Sequence, residues 1–145
     1  MTAQRRVLFI NGSPKGGSST SGSLGDYVMG KLPGPDIVKE TIHAGRAVRK
    51  EDEWNKLVRS ADDADAILVS FPLYVDSLPG HLTSVLERLR ARRKESPPRK
   101  TQLFYAMANN GFPEPWHNEI ALAICRQFAK EAAFGWGGSL NIGGD

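Results

Sequence analysis

The chain has 145 residues, a length that suits one domain and can bury a sizeable core without disulfides or metals. Its net charge of +3 is weak support for nucleic-acid binding but suits anionic ligands such as phosphates. No apolar run approaches the roughly 20 residues that a membrane helix needs, and the first residues resemble no secretory signal. With Cys125 as its one cysteine, the chain can form neither an internal disulfide nor an iron–sulfur cluster. We therefore expect a cytoplasmic protein without a structural metal.

The chain opens with a short strand and a loop rich in glycine and serine. Residues 7–10 form a continuous apolar run, the pattern of a parallel strand that is buried on both faces. A break at residues 11–14 ends this strand, and the loop 12–22 leads into a predicted helix that residues 33–35 terminate. The apolar positions of that helix follow helical spacing: Leu24, Tyr27, Val28 and Leu32.

A second and a third strand follow, each with a helix after it. Residues 37–42 predict a weaker strand, and residues 66–71 predict another strand that is apolar throughout. The helix between them carries its apolar stripe at Trp54, Leu57, Val58 and Ala61. After the third strand, the loop 72–80 leads to a helix with a stripe at Leu82, Val85, Leu86 and Leu89. Its basic end, residues 88–100, is the pattern of a solvated helix terminus.

The last part of the chain repeats the same alternation. Residues 101–107 predict the fourth strand, and the loop 109–114 follows it. The fourth helix is marked by Ile120, Ile124 and Phe128, with Cys125 expected in the core or an interface. A short fifth strand is predicted at residues 139–142 of the glycine-rich end.

Strands that alternate with helices predict an α/β domain in three layers, with helices on both faces of a parallel sheet. Five strands favour a doubly wound, flavodoxin-like sheet in the order 2-1-3-4-5, spanning residues 1–145 as a single domain. Ligands of such sheets bind beyond the carboxyl ends of the strands, which here are followed by the three most unusual loops. The chain stops just beyond the fifth strand, without the helix expected there. We therefore expect either a fragment that lacks a C-terminal helix or extension, or another subunit that covers this face of the sheet. An apolar sheet face left open in this way favours association.

The first loop has the composition of a phosphate site. Glycines let the backbone approach an anion, Ser and Thr add hydroxyl donors, and the helix N-terminus adds a positive dipole end. Ser18 stands where a Walker A loop needs lysine, and Pro14 breaks a dinucleotide fingerprint. A phosphate monoester held by neutral donors and by Lys15 fits the loop. The alternative is a flexible loop that only caps the helix.

Three motifs in order carry a family resemblance. They are Gly12-Ser13-Pro14-Lys15 with Ser18-Ser19-Thr20, then Pro72-Leu73-Tyr74 with Pro79, and then Asn110-Gly111-Phe112-Pro113-Glu114. With these motifs the chain resembles the NADPH-dependent FMN reductase family over essentially its whole length. Members of that family are flavodoxin-like NAD(P)H-dependent oxidoreductases. Thr83 and Glu87 depart from the lysine and aspartate that the family often has in the helix after the second loop.

The resemblance implies FMN as cofactor, with NADPH or NADH as co-substrate, and assigns binding residues by position. The residues that would hold the FMN phosphate are Ser13, Lys15, Ser18, Ser19 and Thr20. Those that would border the isoalloxazine ring are Pro72, Leu73, Tyr74 and Val75. Those that would approach its other edge are Asn109, Asn110 and Gly111. For residues 71–74 the alternative is a buried strand end followed by a turn. We expect neither a catalytic side chain nor a metal ligand, since the flavin carries the chemistry.

The function implied is FMN-dependent oxidation of NAD(P)H, with electrons passing to a small acceptor such as a quinone or a free flavin. Relatives are usually homodimers or homotetramers, so we expect the same here, with no nucleic-acid or membrane partner. One alternative is a flavodoxin-like electron carrier that serves a protein partner, although such carriers are usually acidic and this chain is basic. A third possibility is a flavin-binding module without catalytic activity.

Overall fold

A computed structural model describes five strands and five helices within residues 4–14, 19–33, 36–73, 78–109 and 118–142. The strands are β1 Arg5–Asn11, β2 Ile37–His43, β3 Ala66–Pro72, β4 Leu103–Asn109 and β5 Gly135–Ile142. The helices are α1 Thr20–Lys31, α2 Ala44–Arg49, α3 Glu51–Asp63, α4 Gly80–Glu95 and α5 Glu119–Glu131. Within the described ranges, none of these helices has both the length and the apolar character needed to cross a membrane.

The strands form one parallel sheet in the order β2-β1-β3-β4-β5, which confirms the predicted topology. One row across the centre of the sheet joins Leu8, Ile67 and Phe104, all fully buried. Because helices cover both faces of β1 and β3, these strands are apolar at successive positions rather than at alternate ones. The parallel arrangement places the carboxyl ends of β1, β3 and β4 at the same edge, which we call the carboxyl edge.

The two faces of the sheet are covered unequally. Helices α2 to α5 enclose the larger core on one face, whereas α1 covers a smaller one on the other. The buried residues of the smaller core are Phe9, Met29, Leu68 and Met107. Beyond α1 on this second face, Leu103 and Leu140 are exposed on β4 and β5. Among the described residues, no helix packs over that part of the sheet.

Two of the predicted helical stripes are correct only in part. Leu24, Val28 and Leu32 pack against the smaller core and Phe128 is buried, as predicted, but the other positions are exposed. In α1, Tyr27 is 65% exposed, and the buried side of the helix consists of Ser21, Gly22, Gly25 and Met29. In α5, Ile120 is 63% exposed and Ile124 also faces solvent. The buried positions of α5 are Ala121, Leu122, Cys125, Phe128 and Ala129. In α1, Gly25 allows the helix axis to approach the sheet closely, and hydropathy alone does not reveal this.

Several strand boundaries also differ from prediction. The fourth strand runs from Leu103 to Asn109 rather than over 101–107, and the fifth begins at Gly135 instead of Ser139. Alanines 106 and 108 are weak strand formers, yet β4 continues through them because β3 and β5 pair with it on both sides. Helix α2 was not predicted, since its six residues carry no amphipathic stripe of useful length.

The opposite edge of the sheet is closed by a buried polar network. The Gln102 side-chain amide donates to the backbone carbonyls of Ala61 and Ala64, both at 2.6 Å, where α3 ends. The Arg93 guanidinium donates to the Gln102 side-chain carbonyl and stacks over the Phe134 ring. These contacts join α3, α4, the start of β4 and the turn before β5, so they hold these elements together at this edge.

Two glycines of α1 provide a matched test of the close helix packing. A methyl group at Gly25 would overlap the ring of Phe9, which is fully buried and cannot move aside, whereas Gly30 has open space. We predict that Gly25→Ala lowers the free energy of unfolding by about 1–3 kcal/mol through overpacking. Gly30→Ala should raise it by about 0.5–1 kcal/mol through helix propensity. Urea unfolding measures both, and equal effects of the two substitutions would contradict the packing described.

Candidate functional site

The candidate site lies at the carboxyl edge, where three loops leave the sheet. Pairing places Asn11 of β1 beside Ser70 of β3, and Pro72 of β3 beside Asn109 of β4. The strands therefore bring the described ends of the three predicted loops to neighbouring positions.

A chain of hydrogen bonds joins these loop ends across the carboxyl edge. The Gly12 amide donates to the Ser70 carbonyl at 2.8 Å, and the Ser70 hydroxyl donates to the Ser21 carbonyl at 2.8 Å. The Ser21 hydroxyl donates to the side-chain Oδ1 of Asn109 at 2.7 Å. The Leu73 amide donates to the Asn109 backbone carbonyl at 2.8 Å. We call these five residues the edge network; it ties the first turn of α1 to the ends of β1, β3 and β4.

Gly12 allows the first loop to lie directly against the neighbouring elements. A Cβ at this position would be 2.9 Å from Leu82 Cδ2 and 3.1 Å from Phe71 Cβ. Both neighbours are fully buried, so a side chain at position 12 would push the loop off β3 and α4. The glycine is therefore needed for close approach.

The beginning of α1 presents hydrogen-bond donors toward the first loop. Ser19 is the N-cap, and its Oγ accepts a hydrogen bond from the Gly22 amide at 2.9 Å. The amides of Thr20 and Ser21 precede the first intrahelical bond, and the described part of the chain offers them no acceptor. Ser13 is buried, and its amide donates to Asn11 Oδ1 at 3.0 Å. Two amide donors at a helix N-terminus are suited to an anion.

Six of the twelve predicted binding residues can be located. Ser13 and Ser19 are buried, Thr20 is exposed, and Pro72 and Asn109 are half-buried. Leu73 is also located; its side chain packs into the larger core, while its amide belongs to the edge network. The other six lie outside the described residues: Lys15, Ser18, Tyr74, Val75, Asn110 and Gly111.

The sequence reasoning did not identify two serines that organise this edge. Ser70 is fully buried in β3, and Ser21 is 1% exposed in the first turn of α1. A signal for Ser70 existed, because it is the one hydroxyl within the apolar run 66–71. Ser21 directly follows the predicted Ser-Ser-Thr cluster and could not be distinguished from it by composition. Both serines act through tertiary contacts. Ser70 and Ser21 are 49 positions apart in the chain, and Ser21 and Asn109 are 88 positions apart.

Cys125 has the environment of a structural residue. Its side chain is fully buried in the larger core, as expected, and burial raises the pKa of its thiol to about 12. A thiol that stays protonated at neutral pH is a poor nucleophile. Cys125 therefore offers no covalent chemistry to the site.

Comparison with known proteins identifies the family of this architecture. The family model described as NADPH-dependent FMN reductase matches residues 5–125. A search among proteins of curated function returned no match.

Solved structures with similar folds include several oxidoreductases, two of them described with FMN. An NADH:FMN oxidoreductase in its apo form superposes with a TM-score of 0.72 at 20% identity, covering 97% of this chain and 76% of the other. An oxidoreductase from Corynebacterium diphtheriae superposes with a TM-score of 0.74 at 11% identity, covering 95% and 82%. An FMN-dependent NADH-azoreductase from Bacillus anthracis, in complex with FMN, has a TM-score of 0.60 at 13% identity, covering 93% and 86%. At these identities the likeness establishes the fold.

The N-cap contact of Ser19 predicts a stability effect that needs no ligand. Ser19→Ala removes the acceptor for the Gly22 amide, so we expect the free energy of unfolding to fall by about 1 kcal/mol. Ser19→Asp keeps an acceptor and should restore most of that loss. Thr20→Ala, at the exposed next position, should stay within about 0.5 kcal/mol of the parent. Chemical unfolding of the ligand-free protein measures all three, and an unchanged Ser19→Ala protein would refute the cap.

Proposed function

Because the chain belongs to the NADPH-dependent FMN reductase family, we propose that it is an FMN-dependent NAD(P)H oxidoreductase with its flavin at the carboxyl edge. The electrons would pass to a small acceptor such as a quinone or a free flavin. The observation that supports this location is the edge network, which holds the ends of all three predicted loops side by side.

The phosphate is proposed to lie at the beginning of α1. An FMN phosphate is a monoester that carries close to two negative charges at neutral pH, as do other phosphate monoesters. The amides of Thr20 and Ser21 and the dipole of a twelve-residue helix fit such an anion. We assign the remaining contacts to Ser13, Lys15, Ser18, Ser19 and Thr20, the residues that the family motif indicates.

The isoalloxazine ring is proposed to lie between the second and third loops. The pairing of Pro72 with Asn109 and the bond from the Leu73 amide to the Asn109 carbonyl keep the starts of these loops together. We therefore assign one wall to Pro72, Leu73, Tyr74 and Val75, and the opposite edge to Asn109, Asn110 and Gly111. A flat apolar wall with a few amide groups at its rim suits a planar heterocycle.

In the proposed reaction the protein binds and orients the FMN cofactor. When bound, FMN supplies the hydride chemistry, accepting electrons from the nicotinamide and returning them to an acceptor. The edge network consists of residues that do not ionise near neutral pH, so these side chains position the cofactor by neutral hydrogen bonds. We propose no catalytic acid or base among the described residues, and no metal.

We also propose a homodimer or homotetramer that acts in the cytoplasm, where NAD(P)H is available. Exposed Leu103 and Leu140 on the second sheet face support association. On the other face, a groove of about 200 Å³ between α4 and α5 is lined in part by Leu86, Ile124 and Phe128. Neither surface has the character of a nucleic-acid site.

An FMN titration with riboflavin as the matched ligand tests the proposal. Riboflavin lacks only the phosphate, so the parent protein should bind FMN at least about tenfold more tightly. Replacing Ser18, Ser19 and Thr20 together by alanine should weaken FMN binding by at least about tenfold and leave riboflavin binding nearly unchanged. Quenching of flavin fluorescence measures both affinities, and circular dichroism checks that the variant is folded. Failure to bind FMN at micromolar concentration would overturn the proposal.

Turnover of the FMN-loaded protein then separates the enzyme from a carrier. NADPH or NADH oxidation that depends on added quinone or free flavin is expected. Tight FMN binding without such oxidation would instead identify an electron carrier or a flavin-binding module.

A further inference from the structure

The side chain of Asn109 is held in one orientation by Ser21. The Ser21 hydroxyl donates to Asn109 Oδ1 at 2.7 Å, in a region where Ser21 is almost fully buried. A carboxamide has an acceptor end and a donor end, whereas a serine hydroxyl has a single hydrogen to donate. Once that hydrogen points at Oδ1, the amide nitrogen of Asn109 must point the other way.

Ser21 is itself held in place from β3. Its backbone carbonyl accepts the Ser70 hydroxyl at 2.8 Å, and the Ser70 carbonyl in turn accepts the Gly12 amide. If Asn109 were turned over, the buried Ser21 hydroxyl would lose the acceptor of its hydrogen bond, which is costly. The orientation of the Asn109 amide therefore follows from the edge network.

The donor end of Asn109 has no partner within the described part of the chain. The side-chain oxygen of Asn109 accepts the Ser21 hydroxyl and its backbone carbonyl accepts the Leu73 amide, so neither bond uses the side-chain nitrogen. Asn109 is half-buried at the carboxyl end of β4, so its amide nitrogen is available to a ligand at that edge.

We propose that Ser21 is a positioning residue that presents Asn109 to the flavin ring as a hydrogen-bond donor only. This inference rests on the proposed function. A donor can bind the N1–C2 carbonyl end of the isoalloxazine, but not its N3–H group. Anionic reduced flavin carries its negative charge at that N1–C2 carbonyl end, and hydrogen bonds to charged acceptors are stronger than those to neutral ones. Asn109 therefore binds reduced FMN more tightly than oxidised FMN, which raises the reduction potential of the bound cofactor.

The affinities of the protein for oxidised and reduced FMN test this role. We expect Asn109→Ala to weaken binding of reduced FMN about tenfold more than binding of oxidised FMN. The quantity to compare is the ratio of the affinity for reduced FMN to the affinity for oxidised FMN. A tenfold fall in this ratio lowers the two-electron potential of bound FMN by about 30 mV. Ser21→Ala should shift the ratio in the same direction by a smaller amount, because the freed amide samples both orientations. Ser23→Ala, an exposed serine in the same helix, should leave the ratio unchanged.

A double-mutant cycle distinguishes positioning from a general structural effect. If Ser21 acts through Asn109, then Ser21→Ala should have no further effect on the ratio in the Asn109→Ala protein. Independent, additive effects on the ratio would overturn the inference, as would a parent-like ratio in the Ser21→Ala protein. A parent protein that binds no FMN would refute the proposed function itself. Parent binding of FMN with an unaltered ratio in both single variants would refute the roles inferred for Asn109 and Ser21 and leave the proposed function standing.

Discussion

The candidate site depends on one buried hydroxyl, that of Ser70 in β3. It donates to the Ser21 carbonyl and thereby fixes the first turn of α1 against the centre of the sheet. The Ser70 backbone carbonyl receives the Gly12 amide at the end of β1, and Ser21 reaches across to Asn109 at the end of β4. A buried polar group must be satisfied, and here that requirement holds three loop ends in a single arrangement.

The close packing of α1 makes these bonds possible. Gly25 lies against the Phe9 ring without a side chain between them, so the helix runs close to the sheet. One turn earlier, Ser21 is then within hydrogen-bond reach of both β3 and β4. The small residues of α1 therefore serve the site as well as the core. At the opposite edge, the hydrogen bonds of Gln102 and Arg93 instead join the end of α3 to α4 and the start of β4.

Much of the fold could be predicted because its strands are continuous apolar runs separated by strong breaks. Residues 7–10 are apolar throughout and residues 66–71 are apolar except for Ser70, and that pattern alone indicated a parallel sheet covered on both faces. The small buried residues Gly25, Ala121 and Ala129 could not be predicted, because small residues add little to a hydrophobic pattern. The site was predicted as a set of loops, but Ser21 and Ser70 act through partners far away in the chain. Only tertiary structure reveals such contacts, and the binding roles of the twelve predicted residues stay predictions.

The most direct test of the central claim is a titration of the isotope-labelled protein with FMN, followed by the chemical shifts of its backbone amides. If the edge network frames the flavin site, the largest changes should fall on the amides of Gly12, Thr20, Leu73 and Asn109. The amides of Asp65, Leu103 and Gly135, at the opposite edge, should change little. Changes concentrated at that opposite edge, or spread without preference over the sheet, would contradict the account.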